Sequence, residues 1–219
     1  MEAVIVGGTG LVGSLLIQEL IRTDKCTKIT SIGRRPVKSE SVKVSNILIN
    51  DLSEISKIEL NIQKAIFFCC LGSTIKQAGS KENFRKVDYN GTLAFADLAK
   101  KLNASKFILV SAKGADPKSP FFYNKTKGEA ERAITNLDLN SLTIFRPGLL
   151  LGDREEFRFF ELASISIVRG LKSILGDNLL RPIVTPVNEL VNAMIDDSLV
   201  IETEYKIVDS SEIKKNKNY

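Results

Sequence analysis

The stretch "VIVGGTGLVGSLL" near the N-terminus constrains the fold more than any other part of the chain. It joins an apolar strand-like run to residues of helical periodicity, and Gly7, Gly10 and Gly13 recur at three-residue intervals across the junction. One glycine makes the tight turn, one lets a pyrophosphate approach the backbone, and one permits close helix–strand packing. The helix N-terminus offers unpaired N–H groups and a positive dipole to a diphosphate. A glycine trio alone carries little weight; placed directly after a first strand, it points to dinucleotide binding.

The remaining pattern agrees. Apolar runs at "KITSIG", "NILIN", "AIFFCCLG", "KFILVSA", "SLTIFRP" and "EYKIV" alternate with helical periodicity between Gly72 and Lys106 and between Pro120 and Asn136. Alternation of this kind predicts an α/β doubly wound parallel sheet of the Rossmann type, with strands buried on both faces. After Gly148 the rhythm changes, and "RPIVTPVNELVNAMIDDSLV" reads as a short extended segment turning into a helix. The expectation is one domain over 1–219: a cofactor-binding core over 1–150 and a small C-terminal α/β appendage over 151–219 on the substrate side.

Composition narrows the chemistry. With 219 residues and 43% hydrophobic content, one domain can bury a substantial core. The apolar runs are shorter than the roughly 20 residues a membrane span requires. The three cysteines, Cys26, Cys69 and Cys70, lack framework spacing, so a reducing, cytoplasmic setting is expected. Histidine is absent, which removes the commonest metal ligand and general base, and no metal site is expected. A net charge of +5 suits a phosphate-bearing ligand and is too small to indicate nucleic acid. The basic tail "EIKKNKNY" reads as a solvated end.

The second strand ends in "SIGRRPVK", where a carboxylate would favour NAD through the ribose hydroxyls. Arg34 and Arg35 stand there instead, and guanidinium groups suit a 2′-phosphate, so NADP(H) is preferred over NAD(H). Further on, "FFYNKTKGEAE" puts Tyr123 and Lys127 four residues apart on one helical face. An ammonium near a phenol favours the phenolate, so the tyrosine pKa is expected to fall from roughly 10 toward neutrality. The adjacent Cys69 and Cys70 point to opposite faces of a strand and read as packing thiols. The "GDREEFRFFE" cluster fits a substrate gate and an amphipathic helix start equally, and Lys113 reads as a solvated loop lysine.

Taken together, "GGTGLVG", "GRRP", "CCLGSTIKQAG", "VSAKGADPKSPFFYNKTKGEAE" and "FRPGLLLGDRE" resemble the short-chain dehydrogenase/reductase superfamily, in its atypical branch of Tat-interacting oxidoreductase-like proteins. The resemblance implies that Gly7, Thr9, Gly10, Leu11, Val12 and Gly13 wrap the diphosphate and that Arg34 and Arg35 hold the 2′-phosphate. It places Asp51 and Leu52 at the adenine, Cys70, Leu71 and Gly72 beside the adenosine, and Pro147, in the Arg146–Gly148 turn, near the nicotinamide. Ser111 would orient the substrate oxygen, Tyr123 would exchange the proton, and Lys127 would also hold the nicotinamide ribose. Relatives in the extended branch carry an asparagine where this chain has Asp88, with Asn90 two positions later. That departure weighs against the implied proton relay, and so against turnover more than against cofactor binding.

The function expected is an NADP(H)-dependent oxidoreductase acting on a small carbonyl or alcohol substrate, as a monomer or homodimer. Two alternatives stand beside it: a regulatory NADP(H)-binding protein that acts through a protein partner, and a nucleotide-sugar epimerase or dehydratase, for which the C-terminal region is short.

Overall fold

The computed structural model describes residues 1–62, 64–151, 184–200 and 205–213. The "GDREEFRFFE" cluster, most of the expected appendage and nearly all of the basic tail lie outside the described residues.

Strand β1 (Glu2–Val6) leads into helix α1 (Leu11–Arg22), followed by β2 (Lys28–Gly33) and β3 (Val44–Leu48). A 3₁₀ turn (Leu52–Lys57) precedes β4 (Ile66–Cys69). A helical run then breaks into α2 (Ile75–Ala78), α3 (Lys81–Arg85), a π-turn (Lys86–Gly91) and α4 (Thr92–Lys101). Next come β5 (Lys106–Val110), α5 (Phe122–Thr135), β6 (Leu142–Arg146) and β7 (Leu149–Leu151). The described chain closes with β8 (Val184–Pro186), α6 (Val187–Leu199) and β9 (Tyr205–Asp209).

Seven strands form one parallel sheet in the order β3-β2-β1-β4-β5-β6-β9, as the alternating pattern predicted. β7 and β8 make a separate parallel pair that the apolar pattern does not announce. β1 is flanked by β2 and β4, so the winding direction reverses between β1 and β4. Ligands of open α/β sheets bind in the crevice beyond the strand ends at such a reversal.

Alternation along the central strands divides the core. On one face Ile5, Phe68 and Ile108 pack with Leu16 and Ile17 of α1 and Leu190 and Met194 of α6. On the other, Val6, Phe67 and Phe107 pack with Phe95 and Leu98 of α4 and Ile134 of α5. Phe95 stands 5.1 Å from Phe67 and 5.6 Å from Phe107, centroid to centroid. Each such fully buried side chain stabilises the fold by about 1.5–3 kcal/mol. The outer strands β3 and β9 are largely exposed, as edges usually are. The two thiols behave as the strand period requires: Cys69 joins the α4 side and Cys70 packs against the α1 side.

Candidate functional site

The first turn is built from backbone pressed on backbone. Gly7 has φ +78°, which favours glycine, and a Cβ there would overlap the Cys70 carbonyl and come within 2.9 Å of the Leu71 nitrogen. A Cβ on Gly13 would overlap the Gly7 carbonyl oxygen and lie 2.8 Å from its carbon. Helix α1 therefore begins in contact with the turn, and Gly10 at its N-cap brings no capping side chain. Gly10 N–H donates to the Gly7 carbonyl at 3.0 Å and Ser14 N–H to Gly10 at 2.9 Å, which closes the loop over Thr9, Leu11 and Val12. This uncapped N-terminus and side-chain-free cradle fit the pyrophosphate of a dinucleotide. Gly13→Ala is expected to lower stability by about 1–3 kcal/mol, because only backbone can give way; thermal denaturation with and without NADPH checks it.

Around the crevice, Arg34 and Arg35 are exposed beyond β2, and neither forms an ion pair among the described residues. Arg35 Nη2 reaches Thr9 Oγ1 at 3.4 Å, so one guanidinium leans over the glycine turn. Asp51 caps the 3₁₀ turn, with its carboxylate accepting from Ser53 N–H at 2.8 Å. That hydrogen bond is the main reason its carboxyl sits below the usual range, with Lys86 and Arg34 adding smaller attraction. Leu52 and Leu71 meet over Gly91, where a Cβ would stand 2.7 Å and 3.2 Å from their methyl groups.

Deeper in, the arrangement departs from expectation. Lys127 Nζ lies 2.7 Å from Asp88 Oδ1, with side chains 7% and 0% exposed. The contact is oblique: Oδ1 is charge-paired without accepting a well-directed hydrogen bond. The other oxygen, Oδ2, accepts from Ser73 N–H at 3.0 Å. A Cβ on Gly72 would stand 3.8 Å from Lys127 Nζ and 3.9 Å from Asp88 Oδ1, so the pair sits directly under the loop after β4. Burial alone would depress the Lys127 pKa, but Asp88 and Tyr123 together outweigh it and hold the ammonium above its ordinary value.

Tyr123 packs its ring on Phe84 at 5.5 Å. The expected fall in its pKa is corrected by the structure, which places it above 10. Burial is the largest cause, Lys127 opposes it, and the Asp88 carboxylate raises it again. The ammonium is paired with the Asp88 anion, so its pull on the phenol is offset. Neighbouring thiols are held protonated too: burial pushes Cys69 up to about 11 and Cys70 upward as well.

Ser111, just past β5, is buried and its Oγ has no hydrogen-bond partner among the described residues. Its backbone N–H donates to Phe145 at 2.8 Å, and Lys113 N–H donates to the Pro147 carbonyl at 2.8 Å. The loop after β5 is thus laced to the turn after β6. The same loop lies against α5, because a Cβ on Gly128 would overlap Asp116 and Pro117. Lys113 itself is exposed.

Two features at this end were not anticipated. Glu131, four residues beyond Lys127 on the same buried face of α5, receives Arg146 Nη2 at 2.5 Å and Nε at 3.1 Å. Gly148 N–H donates to Thr185 Oγ1 at 3.0 Å, tying the turn to β8. The i, i+4, i+8 run of Tyr123, Lys127 and Glu131 was a signal available in the sequence; their partners were not.

Known proteins point in the same direction. A family profile described as NAD(P)H-binding matches residues 7–162. The chain is 33% identical over 194 residues to protein HTATIP2 of Rattus norvegicus, covering 87% of this chain and 80% of that one. It is 36% identical over 176 residues to protein FMP52, mitochondrial, of Meyerozyma guilliermondii, covering 79% and 75%. Among solved structures, MoeE5 in complex with UDP-glucose and NAD superposes with a TM-score of 0.71 at 16% identity, covering 95% of this chain and 75% of that one. A UDP-glucose 4-epimerase of Thermotoga maritima gives 0.70 at 14%, covering 95% and 76%. These structural likenesses establish the shared fold. The FMP52 proteins of several yeasts are named mitochondrial, which overturns the cytoplasmic expectation. Unpaired cysteines and the lack of a long apolar run cannot separate two reducing compartments, and those features were its basis. Among the described residues, no helix is long and apolar enough to cross a membrane. The glycine turn, the parallel sheet and the extent of these matches make the chain a member of the NAD(P)H-binding Rossmann family, alongside the HTATIP2 and FMP52 proteins.

Proposed function

We propose that the protein is an NADP(H)-dependent oxidoreductase acting on a small carbonyl or alcohol. The observation that carries this reading is the buried Lys127–Asp88 pair beside Tyr123, under the loop after β4. Bound in the crevice, NADPH supplies the hydride. Gly7, Thr9, Gly10, Leu11, Val12 and Gly13 hold its diphosphate, Asp51, Leu52, Cys70, Leu71 and Gly72 its adenosine side, and Pro147 borders the nicotinamide. Lys127 has three ammonium donors and, among the described residues, one oblique contact, which leaves N–H groups for the ribose hydroxyls. Ser111 Oγ, buried without a partner among the described residues, is suited to receive the substrate oxygen, since an unpaired buried hydroxyl is costly. Tyr123 gives its proton to that oxygen as hydride reaches carbon.

The preference for NADPH rests on Arg34 and Arg35, exposed and without ion-pair partners among the described residues. Fluorescence titration is expected to give one NADPH per chain, bound at least about tenfold more tightly than NADH. The double variant Arg34→Ser, Arg35→Ser should lose that discrimination while still binding NADH. A panel of aldehydes and ketones with NADPH is expected to yield turnover. A wild type that binds NADPH yet is inert across the panel would replace this reading with the regulatory one.

A further inference from the structure

The chain has an acid where the resemblance implies an asparagine, and the geometry gives that acid a task. Asp88 sits in the π-turn between α3 and α4, within a helical run that continues from Arg85 to Lys101. Each residue added to a helical run rotates the later side chains by about 100°, so a π-turn re-aims them relative to an unbroken α-helix. Here Asp88 faces inward to Lys127 rather than outward to solvent. It also accepts from Ser73 N–H, so one carboxylate joins the loop after β4 to α5.

Building on the oxidoreductase reading above, we propose that Asp88 is a positioning residue: its direct ion pair with Lys127 makes the buried pair neutral overall and keeps Tyr123 as a phenol, the form that carbonyl reduction uses. The argument is one of charge. With Asp88 ionised and Lys127 protonated, the net charge beside the phenol is zero, and removing the Tyr123 proton would leave a buried anion. With a neutral residue at 88 the site starts at +1, and losing the same proton leaves it neutral. Desolvation penalises net buried charge, so the phenolate is disfavoured in the first case and favoured in the second.

Among the described residues, the groups facing Tyr123 are few. Lys127 comes from its own helix and Asp88 from the π-turn. From α3, Phe84 is apolar, and Arg85 is occupied by Glu129. From β4, Cys69 lies beside Lys127 and stays protonated through the physiological range. None of them substitutes for the Asp88 charge.

Reduction uses the phenol as acid: its O–H bond breaks toward the substrate oxygen, while hydride from NADPH forms the new C–H bond and NADP⁺ results. Oxidation of the alcohol needs the phenolate as base. Asp88→Asn, nearly isosteric, should therefore lower the apparent pKa of the pH–rate profile in both directions. With NADPH, kcat/KM for carbonyl reduction is expected to fall about tenfold at alkaline pH where the wild type holds steady.

The test has an arm that does not depend on turnover. The sequence has four tyrosines, so the Tyr123 phenolate is read as the ultraviolet difference between each protein and its Tyr123→Phe counterpart during alkaline titration. Asp88→Asn should bring the phenolate absorbance in at lower pH than in the wild type, with NADPH present and absent. Asp88→Ala, which admits water beside Lys127, should shift it in the same direction and serves if the asparagine variant fails to fold. An unchanged onset, or titration without phenolate absorbance because Lys127 loses the proton instead, overturns the proposal. An inert wild type that still shows the shifted onset would remove the oxidoreductase reading and leave the charge relation of Asp88 to Tyr123 standing.

Discussion

Tyr123→Phe is expected to lower NADPH-dependent carbonyl reduction by about 10²–10⁴-fold, the usual worth of a positioned general acid. NADPH affinity should stay within about threefold, because the ring that packs on Phe84 remains and only the hydroxyl is lost. Stopped-flow reduction with the best substrate of the panel separates the two effects, and a variant that keeps wild-type kcat would remove Tyr123 from the chemistry. The alkaline behaviour gives a second reading of the same residue. Burial, reinforced by Asp88 and opposed by Lys127, raises the Tyr123 pKa in the folded protein. The native state then holds a proton that the unfolded chain releases near pH 10. Its contribution is complete below that pH and is lost as pH rises through the folded value. Lys127, also raised, acts in the same direction. The wild type should thus lose Tm above about pH 10 through both groups, and Tyr123→Phe should lose less.

Periodicity was enough to read the parallel sheet, because strands buried on both faces must be continuously apolar and their helices must each carry an apolar stripe. "AIFFCCLG" and "KFILVSA" show this: both became central strands, and Cys69 and Cys70 went to opposite sides as alternation demands. The glycine spacing was legible for a similar reason, since Gly7 and Gly13 stand where a side chain would collide with backbone. Lys127 could be singled out from its distance to Tyr123, but its partner could not. Asp88 is far upstream, on a different element, and reaches Lys127 only because a π-turn interrupts the helix. No residue-by-residue pattern announces a π-turn, so the acid read as a defect in a relay when it is the counter-ion of the lysine. The tyrosine pKa was misjudged for the same reason: a lysine considered alone lowers it, and a lysine already paired does much less. β8 was legible as the short extended segment before α6, but β7 and its pairing with β8 escaped because three-residue strands carry too few side chains to show a period.

Lys127→Met should be the most damaging single substitution to stability at this site, costing about 3–5 kcal/mol, the range for stripping one partner from a buried ion pair. The methionine fills much of the lysine's volume, so the loss is electrostatic more than steric. It leaves the Asp88 carboxylate, 0% exposed, with Ser73 N–H as its remaining polar contact among the described residues. In a chain of this size that loss corresponds to a fall in Tm on the order of 10 °C. Adding Asp88→Asn to Lys127→Met removes the stranded charge, and the amide oxygen can still accept from Ser73. The double variant should therefore recover more than half of the lost stability, although it has neither member of the pair. Such recovery is a coupling between contacting residues, which distant sites do not show. If the two losses simply add, the carboxylate and the ammonium are not held together in solution, and the account of Asp88 as the counter-ion of Lys127 fails with them. Carbonyl reduction distinguishes stability from chemistry: the double variant should refold the site and remain inactive, because the ammonium that holds the ribose is gone.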